Sequence, residues 1–60
     1  MKYFLGCLKY QEVGEILIYN RLIIASNKER ADIAIRDEFK IQKPQGSIIC
    51  VIINEAIIAD

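Results

Sequence analysis

The chain has no histidine and no tryptophan, and its 60 residues include only two cysteines, Cys7 and Cys50. Two cysteines without histidine cannot supply the usual four-ligand zinc site within one copy. Histidine is also the side chain most often used to transfer protons near neutral pH. We find no other catalytic or nucleotide-binding motif, so we predict no enzymatic activity and no metal or other cofactor.

The chain also lacks an excess of either charge, because eight basic and eight acidic residues cancel. A neutral protein has none of the positive field that supplies most non-specific binding to nucleic acid. The longest apolar run, residues 48–53, is far shorter than the roughly 20 residues that span a membrane. We find no signal peptide pattern and expect a cytoplasmic protein that does not enter membranes, with both cysteines buried as small apolar residues.

The first half of the chain predicts two strands joined by a short loop. Residues 2–10 are rich in aromatic and aliphatic side chains, and residues 15–25 are rich in β-branched ones with no helical stripe. The segment "QEVG" between them ends in Gly14, which we expect to adopt a positive φ in a hairpin loop.

A charged segment that follows predicts a helix over residues 27–40. Ser26 or Asn27 can accept a hydrogen bond from the free N–H groups of the first turn, and Ser26 stands three residues before Glu29, as in a capping box. A single apolar stripe recurs every four residues. It consists of Ala31, Ile35 and Phe39.

Pro44 and Gly46 then predict a type I turn, after which residues 47–54 predict a third strand that could extend or bend through Ile58. The order is therefore ββαβ in one α+β domain, residues 1–60. If the crossover places the third strand beside the first, the sheet has the order 2-1-3, every pair is antiparallel, and the helix covers one face only.

Side chains alternate between the two faces of a strand, so each strand divides into two sets. We assign the sets that contain a charge to the outer face. This rule predicts an outer face of Tyr3, Leu5, Cys7, Lys9, Leu17, Tyr19, Arg21, Ile23, Ile49, Val51, Ile53 and Glu55. The other sets, including Phe4, Leu8, Ile48, Cys50 and Ile52, are expected under the helix.

The predicted outer face is too apolar to remain in water, because soluble monomers seldom expose a large contiguous apolar patch. We therefore expect a homodimer, with residues 55–60 forming a fourth strand or flap over the same sheet as the alternative. The predicted dimer or partner interface consists of Tyr3, Leu5, Leu17, Tyr19, Arg21, Ile49, Val51, Ile53, Ile57 and Ile58.

These features lead to two hypotheses of function. The first is a small protein-binding regulator or inhibitor that acts as a homodimer, of the kind encoded as accessory proteins by phages or mobile elements. The alternative is a nucleic-acid-binding regulator in which Lys9, Tyr19 and Arg21 combine stacking with phosphate contacts on the sheet.

Overall fold

The computed structural model describes residues 1–57 and has the predicted ββαβ order. The strands are β1 (Lys2–Glu12), β2 (Glu15–Ala25) and β3 (Ser47–Ala56), and the helix is α1 (Lys28–Gln42). The central strand β1 pairs antiparallel with both neighbours, so the sheet order is β2-β1-β3. The predicted α+β fold, strand order and open sheet are confirmed.

A two-residue turn, Val13 and Gly14, joins β1 to β2 directly after the closing pair Glu12 and Glu15. Both turn residues have positive φ, 50° for Val13 and 78° for Gly14. Such turns match the right-handed twist of the strands that they connect. The positive φ expected at Gly14 is confirmed, whereas a β-branched residue in this region is unusual and places local strain at Val13.

The helix begins after Asn27, whose side chain accepts a hydrogen bond from the backbone N–H of Arg30 at 2.8 Å. Asn27 rather than Ser26 is therefore the N-cap. The predicted apolar stripe is confirmed, and its members are buried against the sheet. They are Ala31, Ile35 and Phe39.

The connection from α1 to β3 is a tight turn around Pro44. The backbone N–H of Lys43 donates to the carbonyl of Phe39 at 2.7 Å, and that of Gly46 donates to the carbonyl of Lys43 at 3.0 Å. This is the turn predicted from the spacing of proline and glycine. β3 ends at Ala56, two residues later than predicted, and the alternatives that involve Ile58 lie outside the described residues.

One core lies between α1 and one face of the sheet. Its position depends on Gly6, in the middle of the central strand. A Cβ atom at Gly6 would lie 2.6 Å from Cδ1 of Ile35 and 3.2 Å from Cδ1 of Ile23. Glycine therefore allows the helix to approach β1 closely. The buried core comprises Phe4, Leu8, Tyr10, Ile23, Ala25, Ala31, Ile35, Phe39 and Ile53.

The predicted division into two faces is confirmed for β1 and wrong for β2. Phe4 and Leu8 are buried under the helix as expected. In β2, however, Leu17 and Tyr19 pack against the core, and Ile23 belongs to it. The charge rule failed because Arg21 points to the helix side, where Glu38 of α1 neutralises it.

In β3 Ile48 packs against the core as expected and Ile49 is exposed, but the prediction is wrong from Cys50 onward. Tyr10 pairs with Ile48 and Lys9 with Cys50, so Ile49 is the extra residue of a β-bulge. Val51 and Ile53 lie on the helix side, while Cys50 and Ile52 lie on the opposite side with Lys9 and Cys7.

Glu55, whose charge assigned the wrong set of β3 to the outer face, pairs with Phe4 of the helix side. Its carboxylate lies 3.6 Å from Nζ of Lys2 at the end of the sheet. The uncovered side of the sheet, called the open face below, is formed by Tyr3, Leu5, Cys7, Lys9, Gln11, Ile16, Ile18, Asn20, Leu22, Ile24, Ser47, Cys50, Ile52, Asn54 and Ala56.

Candidate functional site

The open face is the most apolar exposed surface of the described residues, and Lys9 is the one charged residue in it. Seven of its side chains are large, apolar and between 41% and 60% exposed. An antiparallel sheet with one face in water normally alternates between apolar inner and polar outer residues. This sheet instead presents apolar residues on both sides. The seven are Tyr3, Leu5, Ile16, Ile18, Leu22, Ile24 and Ile52.

The strand register brings these side chains together rather than scattering them. Tyr3 pairs with Ile24, and Leu5 pairs with Leu22, so one end of the open face is uniformly apolar across β1 and β2. Cross-strand partners of this kind have Cβ atoms about 4.5–5.5 Å apart. The apolar side chains therefore form a contiguous patch.

Lys9 and Asn20 interrupt the patch near its middle. Lys9 pairs with Ile18 of β2 and with Cys50 of β3. A lysine can extend its charged group to the margin of an apolar surface while its aliphatic stem remains packed. The interruption therefore leaves most of the apolar surface available to a partner.

The open face is similar in size to the largest apolar patches of soluble proteins. Strands of 11 residues are about 36 Å long, and three strands are about 14 Å wide, which gives a projected area of about 500 Å². The largest apolar patch on a typical soluble monomer measures roughly 300–600 Å² and is often functional. The open face lies in the upper part of that range.

The structure divides the predicted interface residues into several groups. Tyr3 and Leu5 lie on the open face, and Ile49 is 49% exposed at the bulge. Ile57 is 96% exposed beyond the end of β3, and Ile58 lies outside the described residues. The remaining predicted residues are on the helix side: Leu17, Tyr19, Arg21, Val51 and Ile53.

Sequence reasoning placed five of the seven large apolar residues of the open face under the helix: Ile16, Ile18, Leu22, Ile24 and Ile52. Both alternating sets of β2 are apolar, so hydrophobicity alone does not identify the covered one. The available signal was Tyr19, because a tyrosine on the helix side can pack its ring in the core and pair its hydroxyl with a polar group of the helix.

On the helix side, Tyr19, Arg21 and Glu38 form a polar cluster at the margin of the core. The hydroxyl of Tyr19 donates to Oε1 of Glu38 at 2.8 Å, and Arg21 donates to the same oxygen. The guanidinium of Arg21 lies 5.7 Å from the centroid of the Tyr19 ring. The Tyr19 ring also contacts Phe39 edge to face, with centroids 5.7 Å apart. The cluster ties α1 to β2.

The ionisation of the cluster follows from these contacts. Hydrogen bonds from Tyr19 and Arg21 stabilise the carboxylate of Glu38 and lower its pKa below the ordinary value. Desolvation, followed by the bond to Glu38, raises the pKa of Tyr19. The cluster therefore keeps Glu38 charged and Tyr19 neutral around neutral pH.

The three residues of the nucleic-acid hypothesis do not share a surface. Lys9 lies on the open face, whereas Tyr19 and Arg21 lie on the helix side and bind Glu38. A stacking platform needs aromatic and basic groups along one groove. The geometry therefore does not assemble the platform that this hypothesis requires.

The cysteines lie apart from the acidic side chains within residues 1–57 in the sense that they share no metal-ligand cluster with them. No cluster of three or more possible metal-ligating histidine, cysteine or acidic side chains is present there. Cys7 is half-buried and Cys50 is exposed, both as free thiols on the open face. The expectation that both are buried is wrong, because their strand sets face away from the helix.

In the same part of the chain, no helix is both long enough and apolar enough to cross a bilayer.

A groove of roughly 690 Å³ runs between α1 and the free edge of β3. The helix contributes Lys28, Glu29, Asp32 and Ile33, and the strand contributes residues 51–54. Asp32 already pairs with Arg36 on the next turn of the helix. The groove thus lies beside the edge of β3 that pairs with no other strand of the described residues.

Scans against protein-family models and searches of curated proteins and solved structures find no match to this chain.

Proposed function

We propose that this protein is a non-enzymatic protein-binding regulator or inhibitor that associates with a second copy of itself through its open face. The observation that supports this proposal is the patch of seven half-exposed large apolar side chains with a single charge among them. α1 is the only helix of the described residues and lies on the opposite side, so no described element covers this face.

A second copy fits the open face in both chemistry and size. A twofold axis brings the same surface of each copy together, so an apolar patch meets an apolar patch of equal extent. Stable interfaces bury about 800 Å² of accessible surface per partner. The accessible area of a face covered with side chains exceeds its projection of about 500 Å². Two open faces therefore come close to a standard interface.

The resulting assembly has four layers, helix–sheet–sheet–helix, with the two sheets about 10 Å apart. Both helices then point outward with their charged side chains. Ile33 and Ile41 of α1 are 48% and 78% exposed and give this outer surface apolar contact points. In this arrangement the helices contact the target, and the dimer acts by blocking a surface of that target.

We also propose a cytoplasmic location. Cys7 and Cys50 lie on the open face as free thiols, and thiols remain reduced in the cytosol.

Light scattering on the purified protein, with two lysine substitutions, tests the association. Leu5→Lys places a charge in the middle of the open face, and it should halve the molar mass of the assembly because an unpaired charge is costly to bury. Ile41→Lys adds the same charge to the exposed side of α1 and should leave the mass unchanged. A wild-type mass of 6.9 kDa at micromolar concentration would contradict the proposal.

A further inference from the structure

The two outer edges of the sheet differ in their protection against pairing with another chain. β2 carries Arg21, a charged residue that points inward and is held by Glu38 of the helix. Inward-pointing charges on edge strands are a common means of preventing edge-to-edge association. β3 has a bulge at Ile49 near its start and an inward-pointing charge, Glu55, near its end, and neither a charge nor a proline lies between them. Residues 50–54 of this edge therefore lack the features that protect β2.

The regular part of β3 has a well-defined centre. The bulge at Ile49 interrupts the ladder with β1, so continuous pairing covers residues 50–56, with Ile53 in the middle. An antiparallel strand pair centred on one residue keeps each side chain on its own side of the sheet. A twofold axis beside Ile53 would thus place both helices on one side and both open faces on the other.

Two side chains of opposite charge lie beside this centre. Lys28 and Glu29 line the groove next to Ile53 and Asn54. Within residues 1–57 neither forms an ion pair. A twofold axis at this point brings the two copies of this pair of residues close together, and any contact between Lys28 of one copy and Glu29 of the other is then formed twice by symmetry.

We propose that the free edge of β3 pairs antiparallel with the same edge of a second copy around an axis beside Ile53, forming a continuous six-stranded sheet. In this register Cys50 lies opposite Ala56, Val51 opposite Glu55, and Ile52 opposite Asn54. No like charges face one another. The pairing satisfies backbone groups that a free edge leaves open.

This edge pairing is a second interface, distinct from the contact between open faces. It joins two open faces side by side and doubles their projected area to about 1,000 Å², which exceeds the roughly 800 Å² per partner of a standard interface. Two six-stranded sheets can then pack through their open faces. The two contacts together give a tetramer, and either one alone gives a dimer.

Disulfide formation between opposed cysteines tests the proposed strand register directly. In a Cys7→Ser background, Ala56→Cys places a thiol opposite Cys50 of the neighbouring copy. Directly opposed residues have Cα atoms about 4.5–5.5 Å apart, which suits a disulfide. Mild oxidation with oxidised glutathione should yield covalent dimers on a non-reducing gel, and a further Cys50→Ser change should abolish them.

Asn54→Cys is the matched control, because its predicted partner is Ile52 and no thiol lies opposite. Disulfides also form between packed sheets in β-sandwiches, so the oxidation is repeated in a Leu5→Lys background, where the contact between open faces is lost and crosslinking reports the edge pairing alone. If Ala56→Cys crosslinks no faster than Asn54→Cys, the proposed edge pairing is wrong.

Charge reversal in the groove distinguishes the edge contact from the contact between open faces. Lys28→Glu should weaken the edge contact by about tenfold, because two symmetry-related attractions become repulsions. Adding Glu29→Lys should restore it. The fold should be retained, since an acidic residue in the first turn of a helix is favourable, and circular dichroism checks this.

The molar masses of the wild type and the two variants then show which of the two interfaces is present. We expect a wild-type tetramer that Lys28→Glu and Leu5→Lys each convert to a dimer. A wild-type dimer that Leu5→Lys splits and Lys28→Glu leaves intact would overturn the edge pairing and support the face contact. A wild-type dimer with the opposite responses would support the edge pairing and overturn the face contact.

Discussion

The two faces of this sheet are similarly apolar, yet only one of them is covered. Leu8, on the helix side of β1, is completely buried, whereas Leu5, three residues earlier on the open face, is 49% exposed. One helix with one apolar stripe has enough surface for a single face. The difference shows that hydrophobicity makes a side chain suitable for burial, while topology determines whether its own chain can bury it.

The two faces also differ in how they accommodate polar groups. On the helix side, Glu38 binds both Tyr19 and Arg21 at the margin of the core. On the open face, Lys9 and Asn20 interrupt the apolar patch near its middle. The covered face is thus complete within one copy, whereas we propose that a second copy covers the open face.

The largest expected effect contrasts the same substitution on the two faces. Leu8→Ala should lower the free energy of unfolding by about 2–5 kcal/mol, because it leaves a cavity in the core. Leu5→Ala should have little effect on the fold of a single copy and should instead weaken association. Chemical denaturation at several protein concentrations separates the two effects, since only the Leu5→Ala loss should depend on concentration. Equal losses that are independent of concentration would contradict the proposed difference.

A smaller effect is expected from filling the close contact between α1 and the central strand. Gly6→Ala should destabilise by about 1–3 kcal/mol, because the added methyl would overlap Cδ1 of Ile35. Ile35→Val removes that carbon, so the double variant should recover part of the loss. A double variant that is no more stable than Gly6→Ala would show that the clash is not the cause. Thermal unfolding measures all three.

The smallest expected effect concerns the polar cluster and depends on pH. Because the pKa of Glu38 is lower in the folded state, its contribution to stability is present above its ordinary pKa of 4.5 and is lost as pH falls through the folded value. Glu38→Gln should therefore be less stable than wild type near neutral pH, by no more than about 1 kcal/mol for such an exposed contact. The difference should shrink in acid. Asp37→Asn, an exposed change on the same helix outside the cluster, is the control, and a difference that persists at pH 2 would contradict this role for Glu38.

The sequence predicted the elements of this fold better than it predicted their faces. Local signals identified the strands, the apolar stripe of the helix and the turn at Pro44, because each depends on neighbouring residues. The charge of Arg21 gave the wrong face of β2 because its partner, Glu38, is 17 residues away in the chain. In β3 the bulge at Ile49 changes the alternation, and the charge of Glu55 has its partner, Lys2, at the end of the sheet.

The sequence therefore predicted the kind of candidate site, an apolar sheet face, but only some of the residues that form it. An apolar sheet face in need of a cover follows from the count of apolar residues and from the single helix. Its members on β1, Tyr3 and Leu5, were identified because the charge of Lys9 marks the exposed set of that strand. On the other strands, the charges that seemed to mark the exposed set are Arg21 and Glu55, and both have partners on the helix side.

The most direct test of the central claim is an isotope-filtered NMR experiment on a mixture of labelled and unlabelled protein, which detects contacts between copies. We expect intermolecular signals from methyl groups of the open face, including Leu5, Leu22 and Ile52, and none from the buried Leu8. Intermolecular signals that are absent at millimolar concentration, or that come only from α1, would contradict the claim that a second copy covers the open face.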